Sequence, residues 1–328
     1  PHDKVTTHAL LDASKKLLAV YKSGDEVDDR DSLAFKTFHS VDDFIKERIK
    51  LDSRTIAMKV KGRASSKILL RDIMPHAPFT AGIRSFLTGS QLSAIPPQIN
   101  PMEIVDHSLK VTALGEGGIA SERAIPLEAR QLHATHFGLI DPCRTPEGGH
   151  VGIDVRTSML AHRDPAGNLY SPMRDVKDGK FKLLSAKDIS RAVIAFPGQP
   201  MTGMVDAMKQ GLVQKVLASE VQYEIYNSMQ LYSPTTNLIP MLESIQGNRA
   251  TMGSKMQTQA LPLVDREAPW VQTGYRDMSD AKNNLGSFEQ KCAGLIAPTS
   301  SVSGRVAKID SQYIYIQAFA ALALFILF

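Results

Sequence analysis

The chain has 328 residues, 43% apolar and 22% charged, enough for two or three domains with buried cores and too apolar for a disordered chain. A net charge of +4 creates no global field for nucleic acid, so any basic surface must be local. The two cysteines, Cys143 and Cys292, lie far apart, form no disulfide framework and fit a reducing compartment, with cytoplasm as the plain expectation.

No charged run followed by an apolar one opens the chain, so no secretory signal is expected, and the start at Pro1 without Met puts the expected N-terminus upstream. Thr7 to Lys22 carries Leu10, Leu11, Leu17, Leu18 and Tyr21 at helical spacing and stops at Ser23-Gly24, which predicts a helix packed on the core. An acidic turn, Asp25 to Asp31, follows. Ser40 with Asp43 three residues on predicts an N-cap and capping box opening a helix through Phe44, Ile45 and Ile49. From Lys50 to Arg84 basic residues outnumber acidic ones. A solvated face is the ordinary reading, because no aromatic interleaves from Lys50 to Arg71 to stack a base.

Gly89 to Pro101 breaks regular structure at Pro96 and Pro97 and offers amides at Gln91, Gln98 and Asn100, a composition typical of functional loops. Leu114 to Ile119 is a glycine-rich bend without GxGxxG or Walker spacing. His133 to Gly152 packs two Pro, four Gly, three His and a Cys into twenty residues, which predicts a rigid, sharply turned loop. Beyond it the pattern turns β-like through Ile153, Val155 and Met159 to Ala161. Turns are expected at Asp164 to Asn168 and at Asp178-Gly179, with short strands or helix starts at Ala192 to Phe196 and Leu212 to Leu217.

In Pro240 to Pro262, a helix over Asn248 to Gln259 would align Asn248, Met252, Lys255 and Gln259, with Arg249 and Met256 beside them. That mixture suits neither a core nor a plain solvent face, and it can hold a polyanion. The closing run from Ala318 to Phe328, eleven apolar residues, is well short of the roughly 20 needed to span a bilayer, and no function is read from it.

Two chemistries are weighed for the His133 to Gly152 stretch and a third for the acidic turn. Zinc would use His133, His136, Cys143 and His150, but gaps of six residues on either side of Cys143 do not match two close ligand pairs, so hydrogen-bonded histidines bracing a turn are preferred. A Cys143 nucleophile has no evident activating context. A two-metal site would need clustered carboxylates, and the turn from Val27 to Asp31 is the only candidate.

Four motifs in one order carry a resemblance. Lys110 to Ala124 (KVTALGEGGIASERA), His133 to Gly138 (HATHFG) and Thr145 to Gly148 (TPEG) with Gly152 look like the fork region of the β, or second-largest, subunit of multisubunit RNA polymerases. Asn248 to Pro262 (NRATMGSKMQTQALP) is similar to that subunit's Asn-Arg-Ala-x-Met-Gly-x-x-Met-Gln-x-Gln-Ala-x-Pro motif. Gly89 to Ser93, Val27 to Asp29 and Arg305 to Asp310 extend the likeness to most of residues 25 to 317.

The resemblance implies an α+β segment walling the active centre beside the RNA-DNA hybrid, in a nucleotidyltransferase active only with a β′-like chain that holds the catalytic Mg²⁺. No Asn-Ala-Asp-Phe-Asp-Gly-Asp run occurs here. By resemblance, Asn248 and Arg249 lie near the incoming nucleotide. Gln91, Lys255 and Gln259 contact RNA or the hybrid, and Arg123, His133, His136 and Glu147 brace the fork. Implied partners are the β′-like subunit, the remaining β portion, template DNA, transcript RNA and nucleoside triphosphates, with no membrane.

The expected divisions are 1-88, helical and basic; 89-160, fork and wall loops; 161-236, mixed connecting region; 237-317, the active-centre helix motif and a β-rich segment; and 318-328, the apolar tail. Departures are Ser121 where bacterial enzymes have Arg, Arg144 where Glu is usual and Lys255 where Asn is usual. Ala94, Pro97 and Thr112 replace polar residues that hold rifamycins, so rifampicin resistance is expected. The resemblance stops midway through a standard β. An N-terminal piece of a split β from a giant bacteriophage polymerase is preferred over a trimmed bacterial β, which would place the protein in the host cytoplasm. The alternative function is a non-catalytic nucleic-acid-binding protein that keeps the fork scaffold.

Overall fold

The computed structural model describes residues 5–23, 29–74, 76–261, 263–265, 274–276, 285–296, 300, 302 and 304–318. Val27 and Asp28 of the acidic turn, Pro262 and the tail beyond Ala318 lie outside them.

Helix α1 (Thr7–Ser23) forms where its apolar spacing predicts, but no residue of it is buried. Leu17 is 71% exposed and Tyr21 87%, so core packing is not observed. Spacing encodes an amphipathic face, not what covers it. Helix α2 (Val41–Ala64) opens at the expected box, where the Ser40 backbone N–H donates to Asp43 at 3.0 Å. Its half-buried Phe44 meets Phe86 at a centroid distance of 5.7 Å. Helices α3 (Leu70–Ile73) and α4 (Thr80–Gly89) lead into the proline-rich loop. Helix α5 (Pro101–Ser108) then starts with Pro at its first position and Asn100 as N-cap, accepting the Met102 N–H at 2.9 Å. Later come α6 (Ala186–Arg191), α7 (Pro234–Asn237), α8 (Gly247–Gln259) and α9 (Phe288–Ile296).

Strands β1 (Lys110–Thr112), β2 (Ile140–Asp141) and β3 (Asp154–Thr157) make a small antiparallel sheet ordered β1-β3-β2, which ties the glycine-rich bend to the far side of the fork turn. A seven-stranded sheet holds β4 (His162–Arg163), β5 (Leu169–Asp175), β6 (Phe181–Ser185), β7 (Val193–Ala195), β8 (Met204–Lys209), β9 (Leu212–Leu217) and β10 (Tyr223–Glu224). Its order is β4-β5-β10-β7-β8-β9, with β6 on β5. β10 runs antiparallel to β5 and parallel to β7. Two antiparallel pairs follow, β11 (Gly274–Arg276) with β12 (Leu285–Ser287) and β13 (Gly304–Ile309) with β14 (Ile314–Ala318).

The turns at Asp164 to Asn168 and Asp178-Gly179 join β4 to β5 and β5 to β6 as expected. Met159 to Ala161 is a turn instead of a strand, because Met159 and Leu160 donate their backbone N–H groups to the Tyr232 and Met229 carbonyls at 3.0 and 3.3 Å. The main core gathers Leu139, Ile140, Met173, Ile189, Ile194 and Ile225, so the fork turn is rooted in the same core as the large sheet.

Candidate functional site

The fork turn is a chain of hydrogen-bonded bends, as its composition predicts. His133 Nδ1 accepts the Thr135 N–H at 3.1 Å, which leaves Nε2 to carry the proton toward Asp29 at 2.7 Å. Thr135 in turn accepts the Leu33 N–H at 2.9 Å, so the segment after the acidic turn is docked on His133 and Thr135. Burial, reinforced by His133 and Lys36, pushes the His136 pKa down to about 4, so this ring is neutral near pH 7.

Next, the buried Asp141 carboxylate takes four donors. These are the Cys143 N–H at 2.8 Å, the Arg144 N–H at 3.3 Å, the Ser233 N–H at 2.8 Å and the Thr236 hydroxyl at 2.6 Å. Burial and the nearby Asp141 charge push the Cys143 thiol up to about 11, which argues against a thiolate nucleophile. Gly152 adopts a φ of +73°, and a Cβ there would collide with the Arg130 carbonyl.

His133 and His136 do sit at the base of the turn, but Arg123 and Glu147 are exposed, and among the described residues their side chains form no ion pair. The tip is held instead by Arg130, whose Nη1 donates to the Gly149 and Val151 carbonyls. His150 stands between Asp154 at 3.3 Å and Glu122 at 3.6 Å. Among the described residues no group of three or more His, Cys, Asp or Glu side chains gathers to hold a metal ion.

Beneath the turn lies a buried charge cluster that the sequence reading missed. Asp106 on α5 is 2% exposed, Arg144 in the turn 7% and Arg156 on β3 6%. Arg144 makes a two-point pair, Nε to Oδ1 and Nη2 to Oδ2, both at 2.9 Å. Arg156 reaches Oδ2 with Nε and Nη2 at 2.9 and 2.7 Å. Desolvation raises the Asp106 pKa, but the two guanidinium groups outweigh it and hold the carboxyl below its ordinary value. The only advance signal was Arg144 standing where Glu is usual.

Helix α8 lies over this cluster. Its inner face is small: Ala250, Ser254 and Thr258 are buried at four-residue intervals, and Gly253 sits against Ile239. Arg144 Nη2 donates to the Thr258 hydroxyl at 3.5 Å. Asn100, already the cap of α5, donates through Nδ2 to the Gln257 and Ala260 carbonyls, both at 3.0 Å, satisfying acceptors that the helix end leaves without internal partners. The outer face carries the expected stripe: Asn248, Arg249, Met252, Met256 and Gln259 are exposed and Lys255 is half-buried. Gln91 is exposed at the start of the loop that ends in Asn100. The two expected RNA-facing elements are therefore physically joined.

Residues 94–162 match the family RNA polymerase Rpb2, domain 3. The DNA-directed RNA polymerase subunit beta of Erythrobacter litoralis is 33% identical over 96% of this chain and 23% of its own length. The subunit of Thermus aquaticus is 33% identical over 77% of the chain and 24% of its own length, and that of Thermus thermophilus 32% over 90% and 26%. The chain spans about a quarter of the length of these curated relatives. Over most of its length, then, the chain is similar to about a quarter of the β subunit of DNA-directed RNA polymerases, and its middle part to domain 3 of Rpb2.

Proposed function

We propose that the protein works as a β-like subunit in DNA-directed RNA synthesis, lining the active centre and the RNA-DNA hybrid channel of an enzyme that is active only with a β′-like chain. That chain would hold the catalytic Mg²⁺, and the remaining β portion would complete the wall. The observation that carries this reading is α8, a helix with an exposed Arg and exposed amide groups beside a half-buried Lys on one side and an anchored face on the other. Arg249 neutralises triphosphate charge and Asn248 adds hydrogen bonds beside it. Gln91, Lys255 and Gln259 grip backbone oxygens of the transcript, a contact that positions RNA without reading its sequence.

The finer reading is the N-terminal piece of a split β from a giant bacteriophage polymerase, acting in the host cytoplasm. Its support is divergence at Ser121, Arg144 and Lys255. No helix among the described residues is long and apolar enough to cross a membrane. The test is purification of the native complex and mass-spectrometric identification of its chains. A partner bearing the Asn-Ala-Asp-Phe-Asp-Gly-Asp motif, with template-dependent RNA synthesis, is the expected result. A stable monomer that binds nucleic acid and never recruits such a chain would replace this reading with a non-catalytic one.

A further inference from the structure

We propose that Arg144 is a positioning residue that sets the last turn of α8, and with it Lys255 and Gln259, from its buried pair with Asp106. The inference rests on reading the outer face of α8 as RNA-facing. Arg144 lies in the fork turn, far from solvent, and its guanidinium is oriented by two 2.9 Å hydrogen bonds to one carboxylate. A fork-to-fork pair of this kind fixes the plane of the guanidinium as well as its place.

From that plane Nη2 reaches the Thr258 hydroxyl, which itself donates to the Lys255 carbonyl at 2.7 Å. The hydroxyl hydrogen is thereby committed inward to the helix, and the oxygen lone pair is left for Arg144. Asn100 fastens the neighbouring carbonyls of Gln257 and Ala260. All three links come from the cap of α5 or the fork turn, and they end in the last turn of α8 or on Ala260, the residue that caps it.

The first half is held differently: Ala250 is buried, Gly253 lies against Ile239, and α7 packs on the helix. Thirteen residues of helix put roughly 20 Å between the two ends. Movement of the last turn therefore displaces Lys255 and Gln259 while leaving Asn248 and Arg249 in place. A merely structural residue would perturb both ends together.

Arg144→Gln retains fold integrity because Asp106 keeps Arg156, one carboxylate against one cation. In the assembled polymerase this variant should raise the apparent KM for a short RNA primer by about tenfold, with the KM for nucleoside triphosphate changing less than about twofold. Thr258→Val, which removes the acceptor together with the hydroxyl's own bond to the Lys255 carbonyl, should give the same split, and the double variant should be no worse than Thr258→Val alone. Gln259→Ala provides the reference, since it removes the RNA contact directly. If Gln259→Ala weakens primer use and neither Arg144→Gln nor Thr258→Val does, or if both KM values rise in parallel, Arg144 has no positioning role and the reading of α8 survives. If Gln259→Ala itself leaves primer use unchanged, both the RNA-facing reading and the role of Arg144 are overturned.

Discussion

Asp106 and Arg144, thirty-eight positions apart, meet in a two-point pair that joins helix α5 to the fork turn. Arg156 shares the same carboxylate, so two buried cations depend on one anion. Asp106→Asn should therefore be far more damaging than loss of either arginine, because it strands both guanidinium groups in the interior. The expected cost is about 3 to 5 kcal/mol, read from denaturant unfolding midpoints. A loss below about 1 kcal/mol would mean that water reaches the cluster.

Acid should destabilise the fold in two stages. The His136 pKa is about 4 in the folded state against 6.5 when unconstrained, so as pH falls from 6.5 toward 4 only the unfolded chain takes up that proton. Its contribution to stability is full above 6.5 and lost through that window, on the order of 3 kcal/mol in all. Asp106, whose folded pKa is depressed, contributes stability above its unfolded value of 3.8 that is lost as pH falls further. His136→Phe should flatten the first stage only. Unfolding curves at about pH 7 and pH 4.5 check this, and equal midpoints for the native chain would assign the folded His136 an ordinary pKa.

Cys143 and Cys292 both have pKa values pushed up to about 11, chiefly by burial. Neither should react with iodoacetamide at neutral pH on the timescale on which an exposed thiol is consumed, and both should become reactive on unfolding. Mass spectrometry after timed alkylation reads each site separately. Rapid native labelling of Cys143 would mean that the turn opens.

Arg249 is exposed at the start of α8, where it is proposed to meet triphosphate. Arg249→Ala should raise the apparent KM for nucleotides in the assembled enzyme by about tenfold or more, in line with the 1.5 to 3 kcal/mol typical of a charge-assisted hydrogen bond. Steady-state kinetics with varied nucleotide checks it, and an unchanged KM would remove Arg249 from the nucleotide site.

The assembled enzyme is also expected to transcribe in the presence of rifampicin. Ala94 and Pro97 offer no side-chain hydroxyl or amide, and the Thr112 hydroxyl accepts the Leu114 N–H at 3.1 Å while donating to the Asp154 carboxylate. Inhibition at ordinary bacterial doses would sink this expectation.

Local signals were legible in the sequence and distant ones were not. The Ser40–Asp43 box, the turns at Asp164 to Asn168 and Asp178-Gly179, and the α8 stripe each depend on residues a few positions apart, and each forms where expected. The Asp106 cluster depends on contacts 38 and 50 positions apart, and no periodicity encodes such a meeting. The same blindness explains α1, whose apolar face was visible and whose exposure was not. It also explains the fork tip, where Arg130 reaches across 19 and 21 positions to the Gly149 and Val151 carbonyls, a contact no local pattern marks.

The two-residue strand Tyr223–Glu224 has a consequence for the order of assembly. Among the described strands it is the one that pairs with both the hairpin group of β4, β5 and β6 and that of β7, β8 and β9, and it follows both in the chain. A chain leaving the ribosome can complete each group early, yet the two stay unjoined until residue 224 has emerged. The sheet then closes in one late step, from distant parts, and the exposed edges of β5 and β7 are hazards for misassociation until it does.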